Sequence, residues 1–194
     1  MSNLPISREK ALEFVKKYNS NERDLIHYLE SETIMRELAE KLGEDIEYWG
    51  MLGLVHDIDW GLTKEDVPTH LTKAPEILRE AGFDDEFIKI VLSHGYGFDV
   101  ADLKDKQRTE KIQHALACAE TITGLIHAYA LMRGNKISDM KVRGLKKKFK
   151  DKRFAAKVDR DIIREYEKLG LEMSGFFELS INAIKKIAKE VDLS

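Results

Sequence analysis

The adjacent residues His56 and Asp57 close an apolar run, Trp49-Gly50-Met51-Leu52-Gly53-Leu54-Val55, where an imidazole and a carboxylate have no ordinary place. Buried polar groups are paired, and a buried carboxylate is costly unless a cation or several hydrogen bonds satisfy it. The pair therefore points to a metal site. Candidate co-ligands are spaced along the chain on either side: His27 upstream, then His70, His94 and Glu120 downstream, each within or at the end of an apolar helical pattern. Imidazole nitrogens together with carboxylate oxygens favour zinc, manganese, iron and similar ions.

Residues so far apart in sequence need a scaffold that converges, and the apolar periodicity is helical almost throughout, with only three prolines. An all-α protein is expected. Ser7 reads as the cap of a first helix reaching about Tyr18, with Glu9 suiting the dipole and Lys10 standing where a full capping box wants Glu or Gln. Asn21 or Asn19 caps a second helix, on which His27 shares a core-facing stripe with Ser31, Ile34, Leu38 and Leu42. A third helix from about Asp45 ends on the His-Asp pair, before a loop beginning Ile58-Asp59-Trp60-Gly61. A fourth, about Thr69 to Glu80 and ended by Gly82, sets His70 and Lys73 one turn apart, unless Pro75 marks its true start and leaves both residues in the approach. A fifth runs from Asp85 to Ser93, with His94 just before Gly95 and Gly97. The sixth and longest, about Thr109 to Met132, lines Glu120 up with Leu116, Ala117, Gly124, His127 and Leu131. Three more helices follow, at roughly 138–149, 159–169 and 174–191.

In this order His27, His56-Asp57, His70, His94 and Glu120 resemble the pattern of the HD superfamily of metal-dependent phosphohydrolases. The stretches His27-Tyr28-Leu29-Glu30-Ser31-Glu32-Thr33-Ile34-Met35, Leu54-Val55-His56-Asp57-Ile58-Asp59, Ala74-Pro75-Glu76-Ile77-Leu78 and Leu92-Ser93-His94-Gly95-Tyr96 are similar to a small prokaryotic subgroup of that superfamily, known mostly as predicted hydrolases. The resemblance implies an HD-type helical bundle. It would be a single domain over 1–194, with a metal-binding core at about 22–134 and a C-terminal helical extension at about 135–194. It also implies one or two divalent ions (Mn, Fe, Zn, Co, Ni or Mg), one held by His27, His56, Asp57 and Glu120, a second by His70 and His94 with Asp57 bridging. Such a site cleaves a phosphomonoester or phosphodiester by metal-activated hydroxide. Asp57 and Lys73 are the expected catalytic residues, Lys73 stabilising charge on the phosphoryl group, and Asp59 would orient a ligand or water. The expected substrate is small, phosphorylated and nucleotide-like. Two alternatives come with the pattern: a di-iron oxygenase of the same superfamily, and a non-catalytic metal- or nucleotide-binding module. At the last ligand position the superfamily usually carries Asp, whereas this chain has Glu120, one methylene longer.

The remaining features exclude more than they assign. With 194 residues the chain can bury a sizeable core, and 32 basic against 35 acidic residues leave a net charge of -3, which points to no polyanion or membrane partner. The basic run Lys146 to Arg153 reads as a solvated face, so a nucleic-acid partner is not expected. His114 and His127 read as core histidines with ordinary partners. The apolar window Ala115 to Met132 is interrupted by Glu120 and His127, which suits a buried helix and no membrane span. Met1-Ser2-Asn3-Leu4-Pro5 has no apolar signal core and the lone Cys118 has no internal disulfide partner, so a reducing, cytoplasmic location is expected. Homo-oligomerisation stays open. There is no phosphate loop, dinucleotide fingerprint, G-x-S-x-G elbow or H-E-x-x-H.

Overall fold

Two helices of 21 residues each, α2 (Glu22–Leu42) and α7 (Lys111–Leu131), form the frame on which a computed structural model describing residues 4–194 is built. The N-terminal reading of Met1 to Asn3 lies outside the described residues. Between them in sequence come α3 (Ile46–Val55), α4 (Trp60–Thr63), α5 (Ala74–Glu80) and α6 (Asp85–Leu92), preceded by α1 (Arg8–Tyr18). After α7 follow α8 (Val142–Lys150), α9 (Arg160–Ile163) and α10 (Met173–Lys186). No strand occurs among the described residues, so the all-α expectation holds.

The caps explain where the elements begin. Ser7 accepts from the Lys10 amide and opens α1; Asn21 accepts from the Arg23 amide at 2.9 Å and opens α2; Asp45 accepts from the Tyr48 amide at 2.9 Å and opens α3. Gly43, at φ 75°, ends α2 in the left-handed conformation that glycine adopts without penalty. Asn19 does not cap α2. It is buried, accepts from the Gly61 amide at 2.6 Å and the Tyr28 hydroxyl at 3.0 Å, and donates to the Ile58 carbonyl at 2.9 Å, tying the end of α1 to the segment after the His-Asp pair.

The third helix is buried from Trp49 to Val55, as an element apolar on every side must be. It packs against α2, α7, α1 and α6. Gly53 permits the closest approach, since a Cβ there would lie 2.7 Å from the Ser31 carbonyl oxygen and 2.8 Å from the Glu32 backbone. The C-terminal helices cover the outside of the frame: α10 lies on α2, and α9 with the following 3-10 turn Arg164–Leu169 lies on α7. Phe176 and Phe177 of α10 and Tyr166 of that turn are buried at this junction.

Several boundaries differ from expectation: α8 starts at Val142, four residues after the expected 138, and the helix expected over 159–169 is α only to Ile163 and 3-10 beyond it. The fourth helix starts at Ala74, with Pro75 in its first turn and Lys73 at its cap, so His70 and Lys73 sit in the approach and share no helix face. Residues Trp60–Thr63, expected in a loop, make the short helix α4, which follows directly on Asp59 in right-handed conformation. The last helix ends at Lys186, five residues before the expected 191. No helix among the described residues is long and apolar enough to cross a membrane.

Candidate metal centre

The Asp57 carboxylate stands between two pairs of histidines. Its Oδ2 lies 3.7 Å from Nε2 of His27 and 3.5 Å from Nε2 of His56, while its Oδ1 lies 3.2 Å from Nε2 of His70 and 3.1 Å from Nε2 of His94. Within the pairs, the Nε2 atoms of His27 and His56 are 3.1 Å apart and those of His70 and His94 are 3.4 Å apart. Two groups able to hold an ion result, His27-His56-Asp57 and Asp57-His70-His94, sharing one residue. Nitrogens bound to zinc at 2.0–2.1 Å in a tetrahedron are about 3.3 Å from one another, so these spacings suit a shared cation.

Four elements deliver the side chains. His27 projects from the first turns of α2, His56 is the C-terminal cap of α3, His70 follows the 3-10 turn Val67–Thr69, and His94 lies in the 3-10 turn Ser93–Gly95 that extends α6. Each ring is oriented by its other nitrogen. Nδ1–H of His56 donates to the Gly53 carbonyl at 2.9 Å, and Nδ1–H of His94 donates to the Val91 carbonyl at 2.7 Å. His70 donates from Nδ1 to Asp59 Oδ1 at 3.0 Å. The Thr123 hydroxyl donates its proton to the Glu120 carbonyl at 2.6 Å, so at 2.8 Å from His27 Nδ1 it can only accept, and Nδ1 carries the proton. In all four rings the network thereby assigns the hydrogen to Nδ1 and turns Nε2 toward Asp57.

The chemistry of this donor set calls for a cation. Neutral His27 and His56 then face each other across 3.1 Å with bare Nε2 lone pairs. Burial holds both neutral: it pushes the His27 imidazole down and the fully buried His56 down to about 3. Burial alone would raise the Asp57 carboxyl, but His56, His70 and His94 hold it well below the ordinary range. Burial likewise works against the charged form of His70, yet hydrogen bonds to Asp57 and Asp59 push it up to about 10, so without a metal it is an imidazolium between two carboxylates. An ion taken by His70 Nε2 must displace that proton. The five residues fit a divalent metal as ligands.

Of the six expected ligands, Glu120 is not brought into either group. Its carboxylate accepts from the Thr121 hydroxyl, and burial pushes its pKa up to about 7. Lys73 has an exposed side chain, and what it contributes to the centre is its amide, which donates to Asp59 Oδ2 at 3.0 Å beside that of Ala74 at 3.2 Å. Asp59, expected to orient a ligand or water, is fully buried and does orient His70. His114 and His127 have ordinary acidic partners, Glu165 at 2.6 Å and Glu30 at 2.9 Å.

Sequence reasoning passed over Tyr28 and Thr123. Tyr28 is buried, meets the His56 ring edge-on at 5.8 Å and has its hydroxyl oxygen 3.3 Å from the Asp57 carbonyl while its proton goes to Asn19. Its place next to His27 was the only signal, whereas Thr123 gave one in standing a helical turn after Glu120. The centre is not sealed: the His27 side chain is 29% and that of Asp57 15% exposed. A cavity of about 650 Å³ opens beside His27 and Thr123, between α2 and α7, with Arg23, Glu30, His127 and Leu131 in its wall.

The chain is 34% identical over 83 residues to ribonuclease Y of Pseudothermotoga lettingae, a stretch covering 43% of this chain and 16% of that protein. The chain therefore spans only a small part of that relative's length. No solved structure matches. The family described as HD domain matches residues 24–133, and HD domains bind divalent metals and mark a superfamily of metal-dependent hydrolases. Since that match takes in more than half of the chain and runs from before His27 to beyond Glu120, the protein belongs to the HD domain family.

Proposed function

We propose that the protein is a metal-dependent phosphohydrolase acting on a small phosphorylated substrate, nucleotide-like in kind, as a phosphomonoester or phosphodiester. The observation that carries this reading is the single Asp57 carboxylate with one oxygen toward each histidine pair. His27, His56 and Asp57 would hold one divalent ion, and Asp57, His70 and His94 a second. When bound, such ions supply Lewis acidity toward a phosphoryl oxygen and lower the pKa of water toward neutrality. The protein's own part is to fix geometry: Gly53, Val91, Asp59 and Thr123 hold the rings, and Asp57 holds the two halves at one spacing. His70 gives up its Nε2 proton as the second half fills. Glu120, a turn of α7 away from Thr123, remains a candidate ligand through a change of rotamer that frees it from Thr121. Lys73 meets the phosphoryl charge from the start of α5, its side chain being free to reach from the surface.

The cavity beside His27 has room for the part of the substrate beyond its phosphate, and its wall offers both Arg23 and apolar surface from Ile26 and Leu131. The name of the ribonuclease relative keeps phosphodiesters among the substrates to test. The test is a panel of phosphomonoesters, cyclic and linear phosphodiesters and nucleotides, assayed with the metal-stripped protein reloaded with Mn, Co, Zn, Ni or Mg. Release of phosphate or of a dephosphorylated nucleoside, lost in Asp57→Ala, is the expected result. Oxygen uptake by the iron-loaded protein, with no hydrolysis under any metal, would replace this reading with an oxygenase; tight nucleotide binding without turnover would replace it with a binding module.

A further inference from the structure

We infer that Arg108 and Glu165 are positioning residues for His94, so that a carboxylate from beyond the HD-matched segment helps keep one half of the metal centre in place; this rests on the metal reading above. His94 lies where α6 gives way to a 3-10 turn, followed by Gly95 and by Gly97 at φ +89°. Such a segment has little conformational preference of its own, and its carbonyls have left the helix ladder. Arg108, just before α7, takes hold of them. Its Nη1 donates to the Ser93 carbonyl at 2.9 Å and the Tyr96 carbonyl at 2.9 Å, with the His94 carbonyl at 3.4 Å.

The other edge of the same guanidinium is taken by Glu165 in the turn Arg164–Leu169. Nε donates to the two carboxylate oxygens at 3.0 and 2.7 Å, and Nη2 to Oε1 at 2.6 Å. Glu165 Oε2 also accepts from His114 Nδ1 at 2.6 Å, which fixes the carboxylate against α7. The arginine side chain is 7% exposed and that of the glutamate 16%. A planar fork can hold a carboxylate on one edge and backbone carbonyls on the other at the same time, whereas a lysine ammonium cannot. The chain thus runs from Glu165 through Arg108 to the backbone of the turn bearing His94, whose Nε2 faces Asp57.

A double-mutant cycle on the full chain tests this, read by zinc titration of the metal-stripped protein against a chromophoric chelator. Arg108→Lys is expected to weaken zinc binding about 10–100-fold, the range for loss of an outer-shell partner. In a His94→Ala background the same change should have no further effect, and in a His27→Ala background the full factor should persist. Glu165→Gln, which keeps the shape, runs the cycle again should Arg108→Lys fail to fold by circular dichroism. Leu145→Ala, in the buried face of α8 and far along the chain from the clamp, is expected to lower Tm while leaving the titration unchanged. Equal weakening by Leu145→Ala, or effects of Arg108→Lys and His94→Ala that simply multiply, would overturn the inference. Absence of zinc binding by the unaltered chain would instead remove the metal reading itself.

Discussion

Asp59 shows how a single buried carboxylate can serve a ligand and an element together. Oδ1 receives the Nδ1–H of His70 and Oδ2 the amides of Lys73 and Ala74, which are the first free donors of α5. Removing it strands buried donors at a cost of about 1–3 kcal/mol each. Asp59→Ala is therefore expected to lower stability to urea by at least that amount and to weaken divalent-metal binding about 10–100-fold, since His70 loses its orientation. Wild-type metal affinity in this variant would show that the ring is held by something else. The His-Asp pair was legible in the sequence because nothing in its apolar surroundings could satisfy it. Asp59 was legible only as a neighbour of that pair. Tyr28 and Thr123 gave only the weak signal of standing beside His27 and a turn after Glu120, and Arg108 gave none, because a tyrosine, a threonine and an arginine beside helices have many ordinary uses that only tertiary contact tells apart.

The elements matter through the distances they set. The 3.1 Å between the His27 and His56 rings depends on α3 lying against α2 at Gly53. An added methyl at Gly53 meets backbone, which cannot swing aside. Gly53→Ala is expected to cost about 1–3 kcal/mol or more, and to lower metal affinity by parting the two histidines; both are read by thermal unfolding with and without metal. A second tie joins α2 to α7, where His127 donates to the buried Glu30 and is pushed up by that hydrogen bond. A raised histidine contributes stability that is fully present below its ordinary value of 6.5 and is lost as pH rises through the folded value. The stability difference between the natural chain and His127→Gln should therefore shrink as pH rises above 6.5 and passes through the raised folded value, measured by urea unfolding; a difference that grew with pH would contradict the pairing. Periodicity showed the long helices and their caps from sequence. The start of α5 turned on Pro75, which fits either the interior edge or the first turn of a helix. Helix α4 has no apolar period to betray it in four residues.

Over the whole molecule, the HD-matched segment supplies all six residues of the sequence pattern, and the helices after it supply the cover for α2 and α7. Sequence spacing alone could only order the candidate ligands along the chain, and it was the family resemblance that implied Asp57 between the two pairs; the geometry itself depends on how the ends of α3 and α6 and the approach to α5 converge. Spacing also could not place Glu120, whose position on α7 matches the pattern while its longer side chain turns to Thr121. The bare Nε2 atoms of His27 and His56, 3.1 Å apart beside the Asp57 carboxylate, are groups that a multivalent cation would satisfy. The most direct test is elemental analysis of the full chain and of Asp57→Ala, purified side by side and dialysed against the same buffer with one divalent metal added. One to two ions per unaltered chain, near zero in Asp57→Ala with far-UV helicity retained, is the result this account predicts. Full metal stoichiometry in Asp57→Ala, or none in the unaltered chain, would contradict it.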